Sequence, residues 1–554
     1  MAELSGAQIV AKSLATQGVE EMFGLVGVPV VPISVAWMQE GKPFIGVRHE
    51  QAAGYAAQAA SYMRGHLSAA LVVSGPGMTN VISALGNAQA NCWPMILLGG
   101  AANIGLSQMG DFQDAPQVEA ARPFVKWSDQ ARDVRLIPRM IAQATRAAVN
   151  GRPGPVYLDL PGDIIDAVVD EDEVQWAPRI EEPQRPTVSQ ESVESAIEAL
   201  KSASNPLVIV GKGMAWSQAE QEVQEFVDKT GIPWLSTPMG AGVVPADAPN
   251  NAAAARTHVL RNADLVVLLG ARLNWILHFG KPPRFKEGVR IIQLDIEPEE
   301  IGTNVPTEVA LVGDGKAVMG QLNSYLDENP WQFEDTTEWI ASINAEVERK
   351  AAEQAEWASS DEAPMNYYRP LKEIQDRMPR DAVFVTEGEN TMAIARQVIQ
   401  SYEPRKRLDA GTWGTMGVGP GFALAAQVVN PGKRVIALEG DAAFGFGPGE
   451  VETAVRQKLP ITWIIFNNNG IGGGAPELPE EYETGGLSPG QLTPMAHYEK
   501  IMEAFGGKGY YARSPEELEA ALDDSFAQEG STLINVEISP QAQRRKQQFG
   551  WLQR

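Results

Sequence analysis

The sequence predicts an α/β protein built from three doubly wound parallel-sheet domains. The clearest sign is the stretch from Val435 to Gly474, which reads as an apolar strand, a helix and a second apolar strand. Two buried strands joined by a crossover helix form a parallel β-α-β unit. The same alternation of short apolar runs and helical patterns fills residues 1–165 and 191–325. The length of 554 residues agrees with several such domains.

The first domain is expected over residues 1–165. A helix is predicted over Gly6–Gln17, with Ser5 as its N-cap. Short apolar strands are predicted at Met22–Val26, Phe44–Val47, Leu71–Val73, Met95–Leu98 and Val156–Leu158. The second of these strands leads directly into Glu50 and an Ala-rich helix. Glu50 is therefore expected at the carboxyl edge of a parallel sheet, where ligands bind.

Residues 166–190 are acidic and then Pro-rich, and we predict a solvated linker there. The second domain is expected over residues 191–325. Its predicted strands are Pro206–Val210, Leu265–Leu269 and Ile291–Leu294. Lys212, between two glycines, follows the first strand, Arg272 follows the second and Asp295 follows the third. Glycines and an acidic residue at strand ends are typical of nucleotide-binding domains. The full Gly-x-Gly-x-x-Gly pattern is absent, so a purely structural Rossmann-like domain stays open.

Residues 326–363 read as a long helical connection, and the third domain is expected over residues 364–554. Its first predicted strand is Ala382–Val385, and its central unit is the β-α-β stretch described above. The C-terminal tail carries the basic run Arg544-Arg545-Lys546. A disordered end and a lid over a phosphorylated ligand are both compatible with this run.

A metal site is predicted where the two central strands end. Asp441 closes the first strand and Asn468 closes the second. Because neighbouring parallel strands end side by side, a carboxylate and an amide oxygen should meet there, and such oxygen ligands suit magnesium. The adjacent helix N-terminus and Gly-rich turn would supply backbone donors to a diphosphate. The simpler alternative is that Asp441 caps a helix and Asn468 occupies a turn. That alternative does not explain why these two residues end the two strands that one crossover helix connects.

Composition narrows the functional classes. The net charge of −25 argues against nucleic acid as a general partner. The single cysteine excludes a disulfide framework. The sequence contains neither an 18-residue apolar span nor an N-terminal signal pattern, so no membrane association is expected and the cytoplasm is the expected location.

Asn468 lies 27 positions after Asp441, which itself follows Gly440. This spacing closely resembles the diphosphate motif of thiamine-diphosphate enzymes, although Ala442 stands where that family usually has Gly. The strings FGLVGVPV, RHEQAA, SGPGMTN and RLDAGTWGTMGVG resemble the branch that contains oxalyl-CoA decarboxylase and 2-hydroxyacyl-CoA lyase. Within the branch, Met109 to Gln113 is similar to the lyase, because the decarboxylase has Tyr-Glu where this chain has Phe112-Gln113.

The resemblance implies pyrimidine-binding, central and diphosphate-binding domains in that order, and the cofactors thiamine diphosphate and Mg2+. It implies cleavage of a 2-hydroxyacyl-CoA to formyl-CoA and an aldehyde or ketone, or the reverse condensation. An acyl-CoA and a small carbonyl compound would be the substrates, and a homodimer or homotetramer with shared active sites is implied. Oxalyl-CoA decarboxylase, acetolactate synthase with FAD, and a non-enzymatic nucleotide-binding module stay open as alternatives.

The resemblance also implies roles for individual residues. Glu50 would hydrogen-bond N1′ of the aminopyrimidine, Gln113 would lie at the reaction centre, and Glu477 is a candidate to take the 2-hydroxyl proton. Metal ligation is implied for Asp441, Asn468 and the Gly470 carbonyl. Cofactor contacts are implied for Glu50, Glu389, Asn390, Thr391, Gly414, Thr415, Met416, Asp441, Ala442, Ala443, Asn468, Ile471 and Gly472. Contacts with coenzyme A, or with a nucleotide such as ADP in the central domain, are implied for Arg152, Lys212, Arg256, Arg272, Asp295, Asn366, Arg396 and Arg545.

Two positions depart from the family pattern near the expected reaction centre. Gly472 stands where the family has Tyr after Asn-Gly-Ile, and Glu389 stands where the family has Ala. Loss of the aromatic ring should enlarge the space for the departing carbonyl product, so a branched group such as 2-hydroxyisobutyryl is expected to fit. The sequence offers no physical reason for Glu389.

Overall fold

The computed structural model describes residues 3–181, 184–472, 489–542 and 544. Three separate parallel sheets of six, five and six strands form the three domains, and a short antiparallel pair accompanies the first. Consecutive residues of the strands alternate between two hydrophobic clusters, so each sheet is buried on both faces; in the first domain, for example, Leu97 belongs to one cluster and Leu98 to the other. This architecture confirms the predicted fold class.

The first domain follows the predicted alternation closely. Its strands are β1 Glu3–Ser5, β2 Met22–Leu25, β3 Phe44–Gly46, β4 Ala69–Val72, β5 Met95–Ala101, β6 Trp127–Gln130, β7 Pro155–Pro161 and β8 Val168–Asp170. Its helices are α1 Gly6–Thr16, α2 Val31–Gln39, α3 Glu50–Arg64, α4 Pro76–Asn91, α5 Gln117–Ala121, α6 Ile137–Val149 and α7 Gly162–Asp166. The six-stranded sheet has the order β3-β2-β4-β5-β7-β6.

Two details of this domain bear on the predictions. Ser5 caps α1 in a capping box, since its hydroxyl accepts a hydrogen bond from the Gln8 amide at 3.3 Å and the Gln8 side chain accepts one from the Ser5 amide at 2.9 Å. This confirms the predicted N-cap. The predicted linker was wrong in its first residues, because β8 at Val168–Asp170 pairs antiparallel with β1. A three-residue edge pairing leaves too short a pattern to be seen in the sequence.

The central domain contains the five-stranded sheet, in the order β10-β9-β11-β12-β13. Its strands are β9 Pro206–Val210, β10 Trp234–Ser236, β11 Leu265–Leu269, β12 Arg290–Asp295 and β13 Val309–Val312. Its helices are α8 Gln190–Lys201, α9 Lys212–Trp216, α10 Glu220–Thr230, α11 Arg256–Asn262 and α12 Gly315–Glu328.

The connection to the third domain is not one continuous helix, and the prediction of a single helical connection over residues 326–363 was wrong in this respect. After α12, a helix-free segment separates it from α13, Glu338–Ala358. Pro330 follows Asn329 and disfavours helical backbone there. Thr337 then caps the new helix by accepting a hydrogen bond from the Ile340 amide at 3.3 Å.

The third domain contains the second six-stranded sheet, in the order β15-β14-β16-β17-β19-β18. Its strands are β14 Val383–Glu387, β15 Arg407–Asp409, β16 Val435–Gly440, β17 Ile461–Asn467, β18 Lys508–Ala512 and β19 Thr532–Glu537. Its helices are α14 Tyr368–Arg377, α15 Glu389–Val398, α16 Val418–Val429, α17 Asp441–Phe444, α18 Glu450–Arg456, α19 Glu499–Ala504 and α20 Pro515–Ala527. β16 and β17 are parallel neighbours in register Gly440 to Phe466, which confirms the predicted β-α-β unit.

Helix α3 of the first domain packs closely against α16 of the third. The approach depends on Gly421, because a Cβ at that position would lie only 2.7 Å from Cβ of Tyr55 and 2.8 Å from the Ala52 carbonyl oxygen. The Ala-rich sequence of α3 keeps the seam narrow. The helix that begins with Glu50 is therefore fixed directly to the third domain.

Candidate active site

The ends of β16 and β17 bring two oxygen-bearing side chains together. Asp441 is 2% exposed, and its carboxylate accepts hydrogen bonds from the Ala442 amide at 2.8 Å and the Gly470 amide at 3.2 Å. The side-chain oxygen of Asn468 accepts from the same Gly470 amide at 3.3 Å. The two side-chain oxygens therefore converge on one point, as the parallel register requires.

The orientation of Asn468 is fixed from its other side. Its amide nitrogen donates to the Tyr367 hydroxyl and to the Gly472 carbonyl, both at 2.9 Å. Because the nitrogen is held there, the oxygen faces Asp441. Tyr367 was not anticipated from the sequence as part of this site.

These residues fit a magnesium ion and a diphosphate. Burial raises the pKa of Asp441 to about 6, against the opposing effect of backbone amides. A buried carboxylate of this kind is stabilised by a cation. Within the described ranges no cluster of three or more His, Cys, Asp or Glu side chains could hold a metal ion. The donors at hand are one carboxylate, one amide oxygen and backbone carbonyls, a set that suits a hard cation that also binds phosphate oxygens.

The first turn of α15 forms a wall of the same site. Gly388 has φ +101°, and a Cβ there would lie 3.1 Å from the Gly440 amide nitrogen. In the same turn, Thr391 Oγ1 lies 3.3 Å from the place of a Cβ at Gly440. Asn390 and Thr391 are buried, whereas Glu389 faces outward. Of the predicted contact residues, Asn390 and Thr391 are thus buried beside the strand end that carries Asp441, and the Glu389 side chain is not.

Glu50 and Gln113 meet at a second cluster, around the start of α4. Glu50 is 8% exposed and accepts a hydrogen bond from the Asn80 amide group at 3.0 Å. Gln113 accepts one from the Ser74 hydroxyl at 3.1 Å, and its backbone carbonyl lies 2.7 Å from the place of a Cβ at Gly75. Two of the predicted catalytic residues therefore contact the same short segment, residues 74–80.

A carboxylate from the third domain holds the turn before Glu50. Glu450 accepts hydrogen bonds from the amides of Arg48 and His49, both at 3.0 Å, and from the Thr453 hydroxyl at 2.8 Å. Glu450 is buried, and burial raises its pKa while these donors lower it. Sequence reasoning placed Glu450 in a helix but missed this role, because the contact spans some 400 positions of the chain.

The predicted cofactor contacts Gly414, Thr415 and Met416 lie just before α16. The Thr415 hydroxyl accepts a hydrogen bond from the Asn87 side chain of α4 at 3.0 Å. Beyond the turn, the buried Glu387 accepts hydrogen bonds from the amides of Gly417 and Gly419, the latter at 2.5 Å. The turn is thus held from the first domain on one side and by a buried carboxylate on the other.

Among the described residues, Glu50 and Asp441 belong to two clusters with different hydrogen-bond partners. No hydrogen bond or ion pair among the residues that the structure describes joins Glu50 to Asp441. In the first domain, the segment between β5 and α5 exposes large apolar side chains, with Met109 at 73% and Phe112 at 67% exposure. In the third domain, Phe446 after α17 and Ile471 after β17 are exposed in a similar way.

A group of arginines lies between the central and third domains. Burial, and then the nearby cations Arg284 and Arg396, lower the pKa of Arg256 to about 10. Arg256 donates a hydrogen bond to the Ile276 carbonyl at 2.7 Å. The structure therefore brings together Arg256 and Arg396, which the sequence had assigned to one ligand from distant positions, and adds Arg284.

The same group continues into the third domain with little negative charge to balance it. Arg396 pairs with the buried Asp409 at 2.8 Å. Arg407 is also buried, and burial lowers its pKa to about 10 while Asp409 opposes that shift. Nη2 of Arg396, and Nε and Nη2 of Arg407, are buried without a hydrogen-bond partner among the described residues. Buried donors without a protein partner need an explanation, and an anion is one group that would satisfy them.

The residues suggested for a nucleotide in the central domain are partly engaged with protein groups. Arg152 pairs with Asp295 at 2.9 Å. Lys212 donates to the Asn91 side chain at 2.8 Å, and Arg272 donates to the Ala90 carbonyl at 2.5 Å. Lys212 and Arg272 nevertheless line a cavity at the carboxyl ends of β9 and β11. Burial lowers the pKa of Lys212 to about 7, and the charge of Arg272 adds to that shift.

Three further predicted residues need separate mention. Asn366 acts as a local cap, accepting hydrogen bonds from the amides of Tyr368 at 2.7 Å and Arg369 at 2.9 Å. Glu477 and Arg545 lie outside the described residues. Ala442, Ala443 and Ile471 lie beside the metal ligands in the chain, and Ala443 is buried whereas Ile471 is exposed.

Comparison with known proteins agrees with this geometry. Three models of thiamine pyrophosphate enzymes match the chain: the N-terminal TPP-binding domain over residues 4–121, the central domain over 193–322 and the C-terminal TPP-binding domain over 387–536. The chain is 44% identical to 2-hydroxyacyl-CoA lyase 1 of Homo sapiens over 563 aligned positions, covering 100% of the chain and 97% of the relative. This chain belongs to the thiamine pyrophosphate enzymes.

Other relatives of this thiamine pyrophosphate enzyme have two different names. The chain is 41% identical to 2-hydroxyacyl-CoA lyase of Arabidopsis thaliana, over 97% of the chain and 96% of the relative. It is 39% identical to oxalyl-CoA decarboxylase of Escherichia coli K12, over 97% of the chain and 95% of the relative. In the parts of the chain that the structure describes, no helix is both long and apolar enough to cross a bilayer.

Proposed function

We propose that this thiamine-dependent carbon–carbon lyase cleaves a 2-hydroxyacyl-CoA to formyl-CoA and an aldehyde or ketone, and that it also catalyses the reverse condensation. The observation that carries the proposal is the convergence of Asp441 and Asn468 at adjacent strand ends, in a chain similar over its full length to enzymes of that name. Gln113 favours the lyase over the decarboxylase, because it offers an amide where the resemblance gives the decarboxylase a carboxylate.

Thiamine diphosphate, when bound, supplies an electron sink for the bond that breaks. Asp441, Asn468 and the Gly470 carbonyl would hold the magnesium ion and through it the diphosphate. Glu50 would hold a proton against N1′ of the aminopyrimidine, and Asn80 orients its carboxylate for that task. The turn fixed by Glu450 keeps this carboxylate in place.

The arginines between the central and third domains support a coenzyme A site. Arg396 and Arg407 lie beside the buried carboxylate of Asp409, and Arg256 lies near Arg284 and Arg396. Phosphates are the natural partners of such groups, because guanidinium forms paired, charge-assisted hydrogen bonds with them. A protein with a net charge of −25 needs a local cluster of this kind to bind a ligand as anionic as coenzyme A.

A second nucleotide, such as ADP, remains our proposal for the central-domain cavity. Lys212 and Arg272 are the two cations that line it. A phosphate there would compensate the charge of Lys212, whose pKa is lowered to about 7 by burial. Because Arg152 and Asp295 pair with each other, we assign both residues only to the edge of such a site. Calorimetric titration with ADP tests this, and no heat of binding at millimolar ADP would exclude it.

A second copy of the chain is proposed to complete the active site. Glu50 and Asp441 lie in separate clusters, and each cluster lies beside exposed apolar side chains, among them Phe112 and Ile471. Isolated soluble domains rarely expose several large apolar groups on one edge, so these edges are suited to cover each other in a homodimer or homotetramer. Sedimentation of the purified protein measures the oligomer directly.

The substrate is proposed to be short or branched, as in 2-hydroxyisobutyryl-CoA. Support comes from Gly472, which has φ +71° and presents no side chain to the site. The prediction that Glu477 takes the 2-hydroxyl proton falls outside the described residues and stays a prediction. Cytoplasmic location is likewise a prediction from the sequence.

One assay tests the function as a whole. Purified enzyme with thiamine diphosphate and Mg2+ is offered a series of 2-hydroxyacyl-CoA thioesters and oxalyl-CoA, and formyl-CoA and the carbonyl product are measured by mass spectrometry. We expect both products in equal amounts from 2-hydroxyacyl-CoA. Formyl-CoA and CO2 from oxalyl-CoA, without cleavage of any 2-hydroxyacyl-CoA, would instead establish the decarboxylase.

A further inference from the structure

The two departures from the family pattern, Glu389 and Gly472, lie in contact with each other. The carboxylate oxygen Oε2 of Glu389 is 3.1 Å from the place where a Cβ at Gly472 would stand. Apart from Gly472 itself and its two chain neighbours, no other atom of the part of the chain that the structure describes lies within 4 Å of that place. The space next to position 472 is therefore occupied from position 389, some 80 residues earlier in the chain.

The carboxylate makes a second contact on its other side. Its second oxygen, Oε1, accepts a hydrogen bond from Nη2 of Arg544 at 3.0 Å. The backbone of Glu389 begins α15, whose preceding residue Gly388 lies against Gly440 at the strand end before Asp441. The side chain of Glu389 is 64% exposed, so it lies at the opening of the site and not in the core.

A carboxylate wall has a different chemistry from an aromatic one. It is shorter than a Tyr side chain, so it leaves room for a branched carbon beside the reacting centre. It accepts hydrogen bonds, which suits a substrate with a free 2-hydroxyl group. An extended alkyl chain packed against it would remove water from the charge without giving a hydrogen bond in return, and that is unfavourable.

We propose that Glu389 is a specificity-determining residue, whose carboxylate takes the place left by the missing side chain at position 472 and selects compact 2-hydroxyacyl groups against long linear ones. The inference rests on the proposed function and deepens it, since it names the substrate class of that site. Arg544 contributes by holding the carboxylate in this position.

The test compares two substrates on the holoenzyme, 2-hydroxyisobutyryl-CoA and 2-hydroxyoctanoyl-CoA. In Glu389→Ala the ratio of kcat/KM values should move at least tenfold toward the octanoyl substrate. Glu389→Gln keeps the size but not the charge, so its ratio should lie between those of Ala and wild type. Glu308→Ala is the matched control, because Glu308 is also an exposed carboxylate paired with an arginine, at 2.6 Å from Arg290, but lies in the central domain just before β13.

A binding measurement separates selection from chemistry. Isobutyryl-CoA and octanoyl-CoA lack the 2-hydroxyl and serve as competitive inhibitors, so their inhibition constants report fit alone. We expect Glu389→Ala to lower the inhibition constant of octanoyl-CoA relative to that of isobutyryl-CoA. We also expect Gly472→Tyr to change this selectivity by different factors in the wild-type and Glu389→Ala backgrounds.

The outcomes are distinguishable. A wild-type enzyme that releases no formyl-CoA from any 2-hydroxyacyl-CoA overturns the proposed function itself. An active wild type whose substrate ratio changes less than twofold in Glu389→Ala overturns only the role of Glu389, as does full additivity of the Glu389→Ala and Gly472→Tyr effects.

Discussion

The contact between α3 and α16 offers a sharp test of how the fold positions Glu50. In Gly421→Ala the new Cβ would lie 2.7 Å from Cβ of Tyr55 and 2.8 Å from the Ala52 carbonyl oxygen. Ordinary Cβ contacts begin at 3.4 Å, so the two helices must separate by about 0.7 Å (3.4 minus 2.7). Both neighbouring atoms belong to rigid parts of α3 and cannot rotate away.

The expected magnitude follows from two opposing effects. Overpacking a close seam costs about 1–3 kcal/mol. Alanine in place of glycine inside a helix returns about 0.5–1 kcal/mol. The net loss should therefore be about 1 kcal/mol, within a range of about 0 to 2.5 kcal/mol, which lowers the melting temperature by a few degrees for a cooperative unit of this size.

Gly320→Ala is the matched control, since Gly320 lies inside α12 and a Cβ there would meet no atom within 4 Å. It should raise the melting temperature. Thermal scans at one scan rate and turnover measured well below the transition are the two readouts. Because α3 begins at Glu50, Gly421→Ala should also lower kcat, whereas Gly320→Ala should not. A melting temperature that rises equally in both variants, with unchanged kcat, would refute the reasoning.

The other predictions concern single residues of the site. Glu50→Gln should leave the melting temperature within about a degree and reduce turnover by orders of magnitude, with slower exchange of the thiazolium C2 proton in acid-quenched NMR samples; exchange at the wild-type rate would contradict the assigned role. Asp441→Ala should abolish magnesium-dependent binding of thiamine diphosphate in calorimetry, and retained affinity would speak against the metal site. Arg256→Ala should raise KM for acyl-CoA at least tenfold while thiamine diphosphate still binds normally, and an unchanged KM would place coenzyme A elsewhere. Lys212→Met should stabilise the protein most at pH 7 and below. The pKa of Lys212 is about 7 in the folded protein against an ordinary 10.5, so burying its ammonium group costs more stability as the pH falls from 10.5 to 7. The gain in melting temperature from Lys212→Met should therefore shrink toward pH 9.5.

The sequence predicted the elements of the site better than their assembly. The strands that carry Asp441 and Asn468 were evident because continuous apolar runs with glycine and asparagine at their ends leave few other readings. Their convergence followed from parallel topology alone. Glu50 at the start of α3 was evident for the same reason.

Side chains that act across domains were not predictable. Glu450 reads as one more acidic residue in the first turn of an amphipathic helix, and only the packing of two domains reveals which amides it accepts from. Arg407 lies in a basic run that reads as solvated surface, yet it is buried beside Asp409. Pairing of Glu389 with Gly472 depends on how α15 approaches the end of β17, and no local pattern encodes that distance.

The Arg48 and His49 amides donate hydrogen bonds to Glu450, so the active-site turn of the first domain depends on a side chain of the third domain for its conformation. If the chain were divided into two fragments within the segment between α12 and α13, the N-terminal fragment alone would leave those amides to water and Glu50 without a fixed orientation. Mixing the fragments should restore the turn only as they associate. Recovery of activity in such a split enzyme would thus report docking of the halves, which makes the chain suited to complementation assays.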